Sequence, residues 1–152
     1  MAGTQRELVR AEDIPLGVEF ALGAYVVTEE EILAFSRQWD PQDWHLDPDV
    51  AAVTPFGGII ASGIHSLAIF QRLSVLGLFS GWAVIAGRTV RDVQLVKPVR
   101  PGATLEGFIT ATDCELRRPG TAMVTTYGEL RAEGGLVLSA VFDVYVATAE
   151  IS

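Results

Sequence analysis

The sequence is poor in cysteine and histidine, and this scarcity excludes several kinds of site. Cys114 is the single cysteine among 152 residues, so the chain can form neither an internal disulfide nor a cysteine-ligated metal cluster. The two histidines, His45 and His65, stand in neither the HxH nor the HExxH spacing that metal sites use. We therefore expect no metal site, a cysteine that packs in the core, and a reducing location such as the cytoplasm.

The chain also lacks a hydrophobic run that would suit a signal peptide or a membrane span. Residues 1–15 are polar and charged and contain no apolar segment. The longest apolar stretch, residues 57–82, is interrupted by His65, Gln71 and Arg72. A membrane span needs about 20 mostly apolar residues with few or no charges. We therefore expect a buried helix in this stretch.

Positive charge is in short supply as well, because 11 lysines and arginines face 19 aspartates and glutamates, for a net charge of −8. This charge opposes nonspecific binding to nucleic acid or to an anionic membrane, and we expect neither as a partner. Two interpretations remain for the basic residues of the second half: solvated strand ends and turns, or a landing site for the phosphates of a nucleotide-bearing thiol carrier. These residues are Arg88, Arg91, Lys97, Arg100, Arg117 and Arg118.

What the chain does have is the composition of one ordered domain. Hydrophobic residues make up 49% and charged residues 20% of the sequence, which is typical of a folded protein and not of a disordered one. Its 152 residues suit one domain of a size that can bury a sizeable core. No internal repeat and no low-complexity segment interrupts residues 1–152, which we therefore take as a single domain.

The first part of the chain predicts a strand followed by a helix. Alternation of apolar and other residues indicates a strand over residues 17–27. Thr28 followed by Glu31 forms a capping box, so a helix should begin at Thr28. Pro41 should end it. The helix would have one apolar face, made of Ile32, Phe35 and Trp39.

Two further segments complete the first half. Residues 40–48 are polar and bracketed by prolines, which favours a loop, and a short helical turn should follow over residues 49–53. Residues 62–79 predict the longest helix of the chain. Apolar side chains surround nearly its whole circumference, which is typical of a buried helix.

The second half reads as strands joined by tight turns. The predicted strands are residues 82–96, 103–115, 121–132 and 136–147. Together with the long helix they indicate an α+β fold, in which one antiparallel sheet wraps around that helix. Both faces of the last strand are apolar, which indicates a curved sheet, an oligomer contact, or both.

Asp40 and His45 are the strongest candidates for chemistry. Five positions apart on one continuous helix they would point about 140° apart, but a break at Pro41 lets them converge. A carboxylate and an imidazole that face one small space suit acid–base catalysis near neutral pH. The alternative is structural, because an aspartate before proline is a common turn residue and a histidine on a loop is usually solvated.

Ser62 and Gly63 stand at the start of the long helix. Free backbone N–H groups there can polarise a carbonyl group, although the residues alone favour the simpler interpretation, in which Ser62 caps the helix. His65 lies one turn further along the helix. We expect it to be a buried residue with one hydrogen-bond partner and no part in the chemistry.

Four stretches together resemble the MaoC-like dehydratases and R-specific enoyl-CoA hydratases. Residues 35–45 resemble the hydratase motif, in which an Asp follows an aromatic residue and a His stands five positions later. Residues 27–32 are similar to the family's helix entry, residues 58–63 to its lead-in to the central helix, and residues 93–102 to its strand-turn signature. The resemblance covers residues 16–148.

The resemblance implies a hotdog fold and a set of site residues. Asp40 and His45 would be the catalytic pair, which binds the water that adds to a 2-enoyl thioester. The Gly63 amide would polarise the thioester carbonyl. Ser62 and Trp44 are expected to contact the substrate beside them. No separate cofactor is implied, since coenzyme A would enter as part of an acyl-CoA substrate, and the expected assembly is a homodimer or higher homo-oligomer.

Two other functions fit the same fold. A hotdog thioesterase would also use a carboxylate and a helix-end amide, but it would release a free thiol. A non-catalytic acyl-thioester-binding subunit would keep the fold and bind without turnover. The chemistry of the pocket distinguishes these functions, and the fold does not.

Overall fold

The computed structural model describes residues 6–149, which form a five-stranded antiparallel sheet and several helices. The prediction of an α+β fold is confirmed. In chain order the elements are β1 (Glu19–Val26), α1 (Glu29–Trp39), α2 (Asp43–Leu46), α3 (Pro48–Ala52), α4 (Gly63–Gly77), β2 (Val84–Leu95), β3 (Thr104–Arg118), β4 (Thr121–Ala132) and β5 (Gly135–Ala147). Single turns of 3₁₀ helix precede β1 and follow α4.

The sheet wraps around α4. Its strand order is β1-β3-β4-β5-β2, and every neighbouring pair is antiparallel. Phe70 of α4 is buried and packs edge-on against Phe142 of β5, with ring centroids 5.3 Å apart. A Cβ at Gly128 of β4 would overlap the Phe70 ring, so this glycine lets the helix sit close on the sheet. The core therefore lies between α4 and the concave face of the sheet.

The prediction that α4 is buried all round is wrong for the single chain. Ile64 and Leu76 are 60% and 63% exposed, because the sheet covers only one side of the helix. Trp39 departs in the same way from the predicted apolar face of α1: it is 66% exposed at the end of that helix, whereas Ile32 is fully buried. In the part of the chain that the structure describes, no helix is long and apolar enough to cross a bilayer.

The segment predicted as a loop over residues 40–48 contains a helical turn. Pro41 ends α1 as expected, but α2 then forms from Asp43 to Leu46. Asp47 caps the next helix, α3, by accepting a hydrogen bond from the Asp49 N–H at 2.9 Å. A single turn of four residues has too little periodicity to be detected in the sequence.

Candidate active site

Asp40 and His45 come together at the break between α1 and α2. The His45 Nε2 atom lies 3.4 Å from the Asp40 Oδ2 atom. Asp40 is the C-terminal cap of α1, and its N–H donates to the Ser36 carbonyl at 3.0 Å. Since Pro41 interrupts the helix, α2 can turn His45 back toward the end of α1. The predicted convergence of the two side chains is therefore present.

A backbone carbonyl fixes the orientation of the imidazole. The His45 Nδ1 atom lies 2.7 Å from the carbonyl oxygen of Ile60, and His45 is 5% exposed. A carbonyl can only accept a hydrogen bond, so Nδ1 carries the proton and donates it. In the neutral ring Nε2 is then an acceptor, and it is the nitrogen that faces Asp40.

The surroundings of Asp40 favour its ionised form. A hydrogen bond from Ser62 is the largest cause that lowers the pKa of the Asp40 carboxyl, and a hydrogen bond from Gln42 and the nearby His45 lower it further against the opposing effect of burial. The Gln42 Nε2 atom lies 2.7 Å from Asp40 Oδ1. An ionised Asp40 and an unprotonated Nε2 are both acceptors, so a water molecule beside them can donate one O–H to each.

Ser62 and Gly63 begin α4 next to this pair. Ser62 is fully buried, and its Oγ atom accepts from the Ile64 N–H at 3.2 Å, as an N-cap does. The Gly63 N–H is one of the first four of the helix, which have no partner within it. Ser62 thus caps α4 and also stabilises the negative charge of Asp40.

His45 and Gly63 line a common cavity of about 280 Å³. Trp44 and Phe56 stand at its exposed side, and Leu95 belongs to its wall. Asp40 does not line this cavity, but it lies beside His45, which does. The cavity is therefore a mainly apolar chamber bordered by His45 and by Gly63 at the start of α4, which suits an acyl group that carries a reactive carbonyl.

A larger cavity of about 530 Å³ lies between α4 and β2, but it has no free acid–base pair. Its one carboxylate, Asp143, is buried and receives hydrogen bonds from Thr89, Thr125 and Arg91. The wall also contains Val75. We therefore place the candidate site at His45 and not in the larger cavity.

The basic residues of the second half do not form one landing site. Arg91 is bound to Asp143, with an Nε–Oδ2 distance of 2.8 Å. Arg100 donates to the Phe56 carbonyl at 2.5 Å, and Lys97 lines the cavity of His45. The remaining three line a separate cavity of about 330 Å³ at the other end of the sheet: Arg88, Arg117 and Arg118.

The two other residues considered in the sequence, His65 and Cys114, pack in or against the core. His65 is buried and stacks on Phe35, with ring centroids 4.5 Å apart, and burial lowers its pKa. The predicted hydrogen bond is missing at its Nδ1 atom, which has no partner among residues 6–149. Cys114 is half-buried against the core, and burial raises the pKa of its thiol. Within the same residues, no three His, Cys, Asp or Glu side chains are grouped to hold a metal ion.

Sequence reasoning missed three parts of the site. The Ile60 carbonyl that orients His45 left no signal, because any residue supplies a carbonyl. Leu95 and Lys97 lie within the strand-turn stretch that carried the family resemblance, and that stretch could have suggested them.

Comparison with known proteins connects this geometry to a family. The family described as MaoC like domain matches residues 16–133. An uncharacterized protein of Bacillus subtilis, YdeM, is 30% identical over 125 residues, which is 80% of this chain and 89% of the relative. The 3-hydroxyacyl-thioester dehydratase Z of Mycobacterium tuberculosis is 28% identical over 110 residues, or 71% of this chain and 73% of the relative.

Solved structures have the same fold. The MaoC-like dehydratase from Rhodospirillum rubrum is 32% identical, with a TM-score of 0.84 over 94% of this chain and 99% of that one. The (R)-hydratase from A. caviae is 21% identical, with a TM-score of 0.73 over 88% and 97%. The HadBC 3R-hydroxyacyl-ACP dehydratase complex of M. tuberculosis is 16% identical, with a TM-score of 0.72 over 86% and 96%. The prediction of a hotdog fold is confirmed.

Proposed function

The chain belongs to the MaoC-like domain family, and we propose that it is a hydratase or dehydratase that interconverts a 2-enoyl thioester and a 3-hydroxyacyl thioester. The observation that carries this proposal is the orientation of His45, whose Nε2 atom faces Asp40 3.4 Å away while Nδ1 is tied to a backbone carbonyl. The names of two similar proteins, a 3-hydroxyacyl-thioester dehydratase and an (R)-hydratase, support the same reaction class.

The substrate binds with its thioester carbonyl at the start of α4. The Gly63 N–H donates to the carbonyl oxygen, and the positive end of the helix stabilises the enolate-like charge that develops there. Trp44 flanks the entrance, and the acyl chain extends into the apolar part of the 280 Å³ cavity. We take coenzyme A as the thiol carrier, with Lys97 on the wall of the cavity as a positive charge for its phosphates.

His45 moves the proton. An imidazole is ordinarily a stronger base than a carboxylate, and the hydrogen bonds that lower the pKa of Asp40 make that carboxylate a weaker base still. In hydration, the water oxygen bonds to C3 while Nε2 takes one of its protons. The π electrons move to the thioester oxygen, and the imidazolium returns the proton to C2. Asp40 holds the water and stabilises the imidazolium, and dehydration is the reverse.

An assay with crotonyl-CoA tests the reaction. We expect loss of the enoyl thioester absorbance with formation of 3-hydroxybutyryl-CoA, and a loss of roughly 10²- to 10⁴-fold in kcat in Asp40→Asn and in His45→Ala. Asp43→Asn, on the exposed side of α2, is the matched control and should keep its activity. Wild-type turnover in both site variants would contradict the proposal, and release of free thiol detected by a thiol reagent would indicate a thioesterase.

We also propose that the chain assembles as a homodimer. The exposed apolar side of α4, which includes Ile64 and Leu76, supports an assembly that covers it. Among the structures with this fold, HadBC is a complex.

A further inference from the structure

The geometry of the candidate site depends on where the C-terminal end of α1 lies, because Asp40 caps that end. The first half of α1 is anchored in the core by Ile32, which is fully buried. The second half has less support. Ser36 is buried, but its Oγ atom has no hydrogen-bond partner in the described part of the chain, and residues 37–39 are exposed. The position of Asp40 therefore depends on few contacts.

One of these contacts is an aromatic stack between α1 and α4. The rings of Phe35 and His65 are nearly parallel, with an interplanar angle of 7° and centroids 4.5 Å apart. Phe35 is half-buried and His65 is buried, so neighbouring side chains hold both rings in place. The stack therefore joins the second half of α1 to the first turn of α4.

The stack and the contact of Asp40 with Ser62 join the same two helices. Asp40 follows Phe35 by five residues, which is about 7.5 Å along a helix, and Ser62 precedes His65 by three residues, which is about 4.5 Å. Ser62 donates a hydrogen bond to the Asp40 carboxylate. The two contacts thus advance along α1 and run backward along α4, as in an antiparallel helix pair. A tilt of α1 at Phe35 would move Asp40 relative to Ser62.

His45 is held by a contact outside α1. Its Nδ1 atom lies 2.7 Å from the Ile60 carbonyl oxygen, and the break at Pro41 separates α2 from α1. A displacement of α1 would therefore change the distance of 3.4 Å between His45 Nε2 and Asp40 Oδ2. The relative position of the two site residues thus depends on how α1 rests on α4.

We propose that His65 is a positioning residue. Its ring supports Phe35 and so fixes the end of α1, which places Asp40 beside the imidazole of the candidate site. Neither Phe35 nor His65 lines the cavity of His45, so their effect on the reaction is exerted through Asp40. The kinetic consequence of this support rests on the proposed function, whereas its effect on Asp40 does not.

The imidazole of His65 acts here as a neutral ring and not as an acid or a base. Burial lowers the pKa of His65, and the nearby Glu31 carboxylate opposes this effect without outweighing it. The Nδ1 atom is buried and has no hydrogen-bond partner among the residues that the structure describes. A phenyl ring can stack on Phe35 in the same way, so His65→Phe is the conservative variant and His65→Ala removes the support.

The pKa of the Asp40 carboxyl, followed by ¹³C NMR, tests the proposal without a substrate. The hydrogen bond from Ser62 lowers this pKa in the wild type. In His65→Ala we expect the pKa to rise toward its ordinary value of about 3.9, because the unsupported end of α1 moves and the hydrogen bond lengthens. In His65→Phe the pKa should stay at its wild-type value. Asp40→Asn assigns the signal.

The other histidine shows whether the fold survives the substitution. The chain has two histidines, so the imidazole signals in ¹⁵N spectra of a His65 variant belong to His45. We expect Nδ1 of His45 to stay protonated in His65→Ala, because the Ile60 carbonyl still accepts from it. Phe35→Leu keeps an apolar side chain but removes the ring, and it should raise the pKa of Asp40 as well. It decides the question if His65→Ala loses the His45 signals.

Kinetics with crotonyl-CoA separate positioning from binding. We expect kcat of His65→Ala to fall roughly 10- to 100-fold, since a displacement of about 1 Å can cost 10²-fold in rate. KM should change less than about threefold, because the ring lies outside the cavity. His65→Phe should keep kcat within about threefold of the wild type. Gln38→Ala, on the exposed side of α1, is the matched control and should keep its kcat.

Two results would overturn the proposal. One is a wild-type pKa of Asp40 in both His65→Ala and Phe35→Leu. The other is an equal loss of kcat in His65→Phe and His65→Ala, which would show that the imidazole itself is required and not its stack. A wild type without turnover would contradict the proposed function alone, because the NMR measurements do not depend on activity.

Discussion

His45 is held so that its two ring nitrogens have different tasks. Nδ1 donates to the Ile60 carbonyl at 2.7 Å, so in the neutral ring Nε2, which lies 3.4 Å from Asp40 Oδ2, has the lone pair that can accept a proton. The carbonyl is available because Ile60 lies outside the helices and strands, in the segment just before α4. Since this contact fixes both the tautomer and the orientation of the ring, the imidazole needs little reorganisation before it takes a proton.

Replacement of Ser62 by Ala should move the acid limb of the pH profile. The Ser62 hydrogen bond is the main cause that lowers the pKa of Asp40, so its removal raises that pKa. Asp40 must be ionised, and activity in Ser62→Ala should therefore be lost at a higher pH than in the wild type as the pH falls. The measurement is the pH dependence of kcat/KM, with Ser80→Ala as an exposed control.

The position of the acid limb is the informative quantity in that experiment. Loss of the N-cap at Ser62 also destabilises α4, by about 1 kcal/mol, and can lower the rate at every pH. An acid limb that stays at its wild-type position in Ser62→Ala would contradict the role of this hydroxyl.

The loss of activity caused by a substitution at Gly63 should be offset by a second substitution at Leu95. A Cβ at Gly63 would overlap Leu95 Cδ1. Gly63→Ala keeps the backbone N–H but sets its methyl group against the Leu95 side chain, so either Leu95 rotates away or the start of α4 shifts, and a displacement of about 1 Å there can cost 10²-fold in rate. Leu95→Ala removes the overlap, so we expect kcat/KM of the double variant to return toward that of Leu95→Ala alone.

The control for this pair is Gly81→Ala, where an added Cβ meets no atom within 4 Å. Kinetics of the three site variants on the same enoyl thioester measure the effect. Full activity in Gly63→Ala, or an undiminished loss in the double variant, would show that Leu95 does not position the helix end.

Among the secondary-structure elements, β2 depends on one buried carboxylate. Asp143 of β5 accepts hydrogen bonds from Thr89 and Arg91 of β2 and from Thr125 of β4. Its side chain is 5% exposed, and the Arg91 guanidinium holds the pKa of Asp143 well below its usual range. One aspartate thus ties three adjacent strands together at the edge of the sheet.

Asp143→Asn should lower the free energy of unfolding at neutral pH, by about 1–3 kcal/mol, since a charged acceptor is lost from a buried network. A lowered folded-state pKa contributes stability that is full above the ordinary value of about 3.9 and is lost as the pH falls below it. The difference between the wild type and Asp143→Asn should therefore shrink below about pH 4.

Urea unfolding at several pH values measures this difference. Asp49→Asn, on the exposed surface of α3, is the control and should change little. Equal stability of Asp143→Asn and the wild type at pH 7 would contradict the structural role of Asp143.

For the molecule as a whole, the sequence was sufficient to predict the sheet, the long helix and the approach of Asp40 to His45. Alternating strands with tight turns carry a strong signal, and so does the capping box, whose Thr28 Oγ1 atom accepts from the Glu31 N–H at 3.2 Å. The approach of Asp40 to His45 could be predicted because Pro41 marks the break in the helix that lets the two side chains meet. These features depend on residue types at fixed local spacings.

The remaining features depend on contacts that the sequence does not encode locally. The apolar circumference of α4 predicted burial all round, yet the single chain covers only one side and leaves Ile64 exposed. An apolar pattern indicates which face of a helix is buried. It does not indicate whether the same chain or a second copy buries that face. The α2 turn was not predicted for a different reason: four residues contain too little periodicity to indicate a helix.

The stereochemistry of hydration in D₂O tests the central claim most directly. The proposed mechanism uses one imidazole, His45, which takes the proton of the attacking water and returns it to C2 from the same face of the double bond. NMR of the 3-hydroxyacyl product should therefore show deuterium at C2 on the same side as the new C3 hydroxyl, the syn product. Anti addition would require a second proton donor on the opposite face, and it would contradict a reaction carried by His45 beside Asp40.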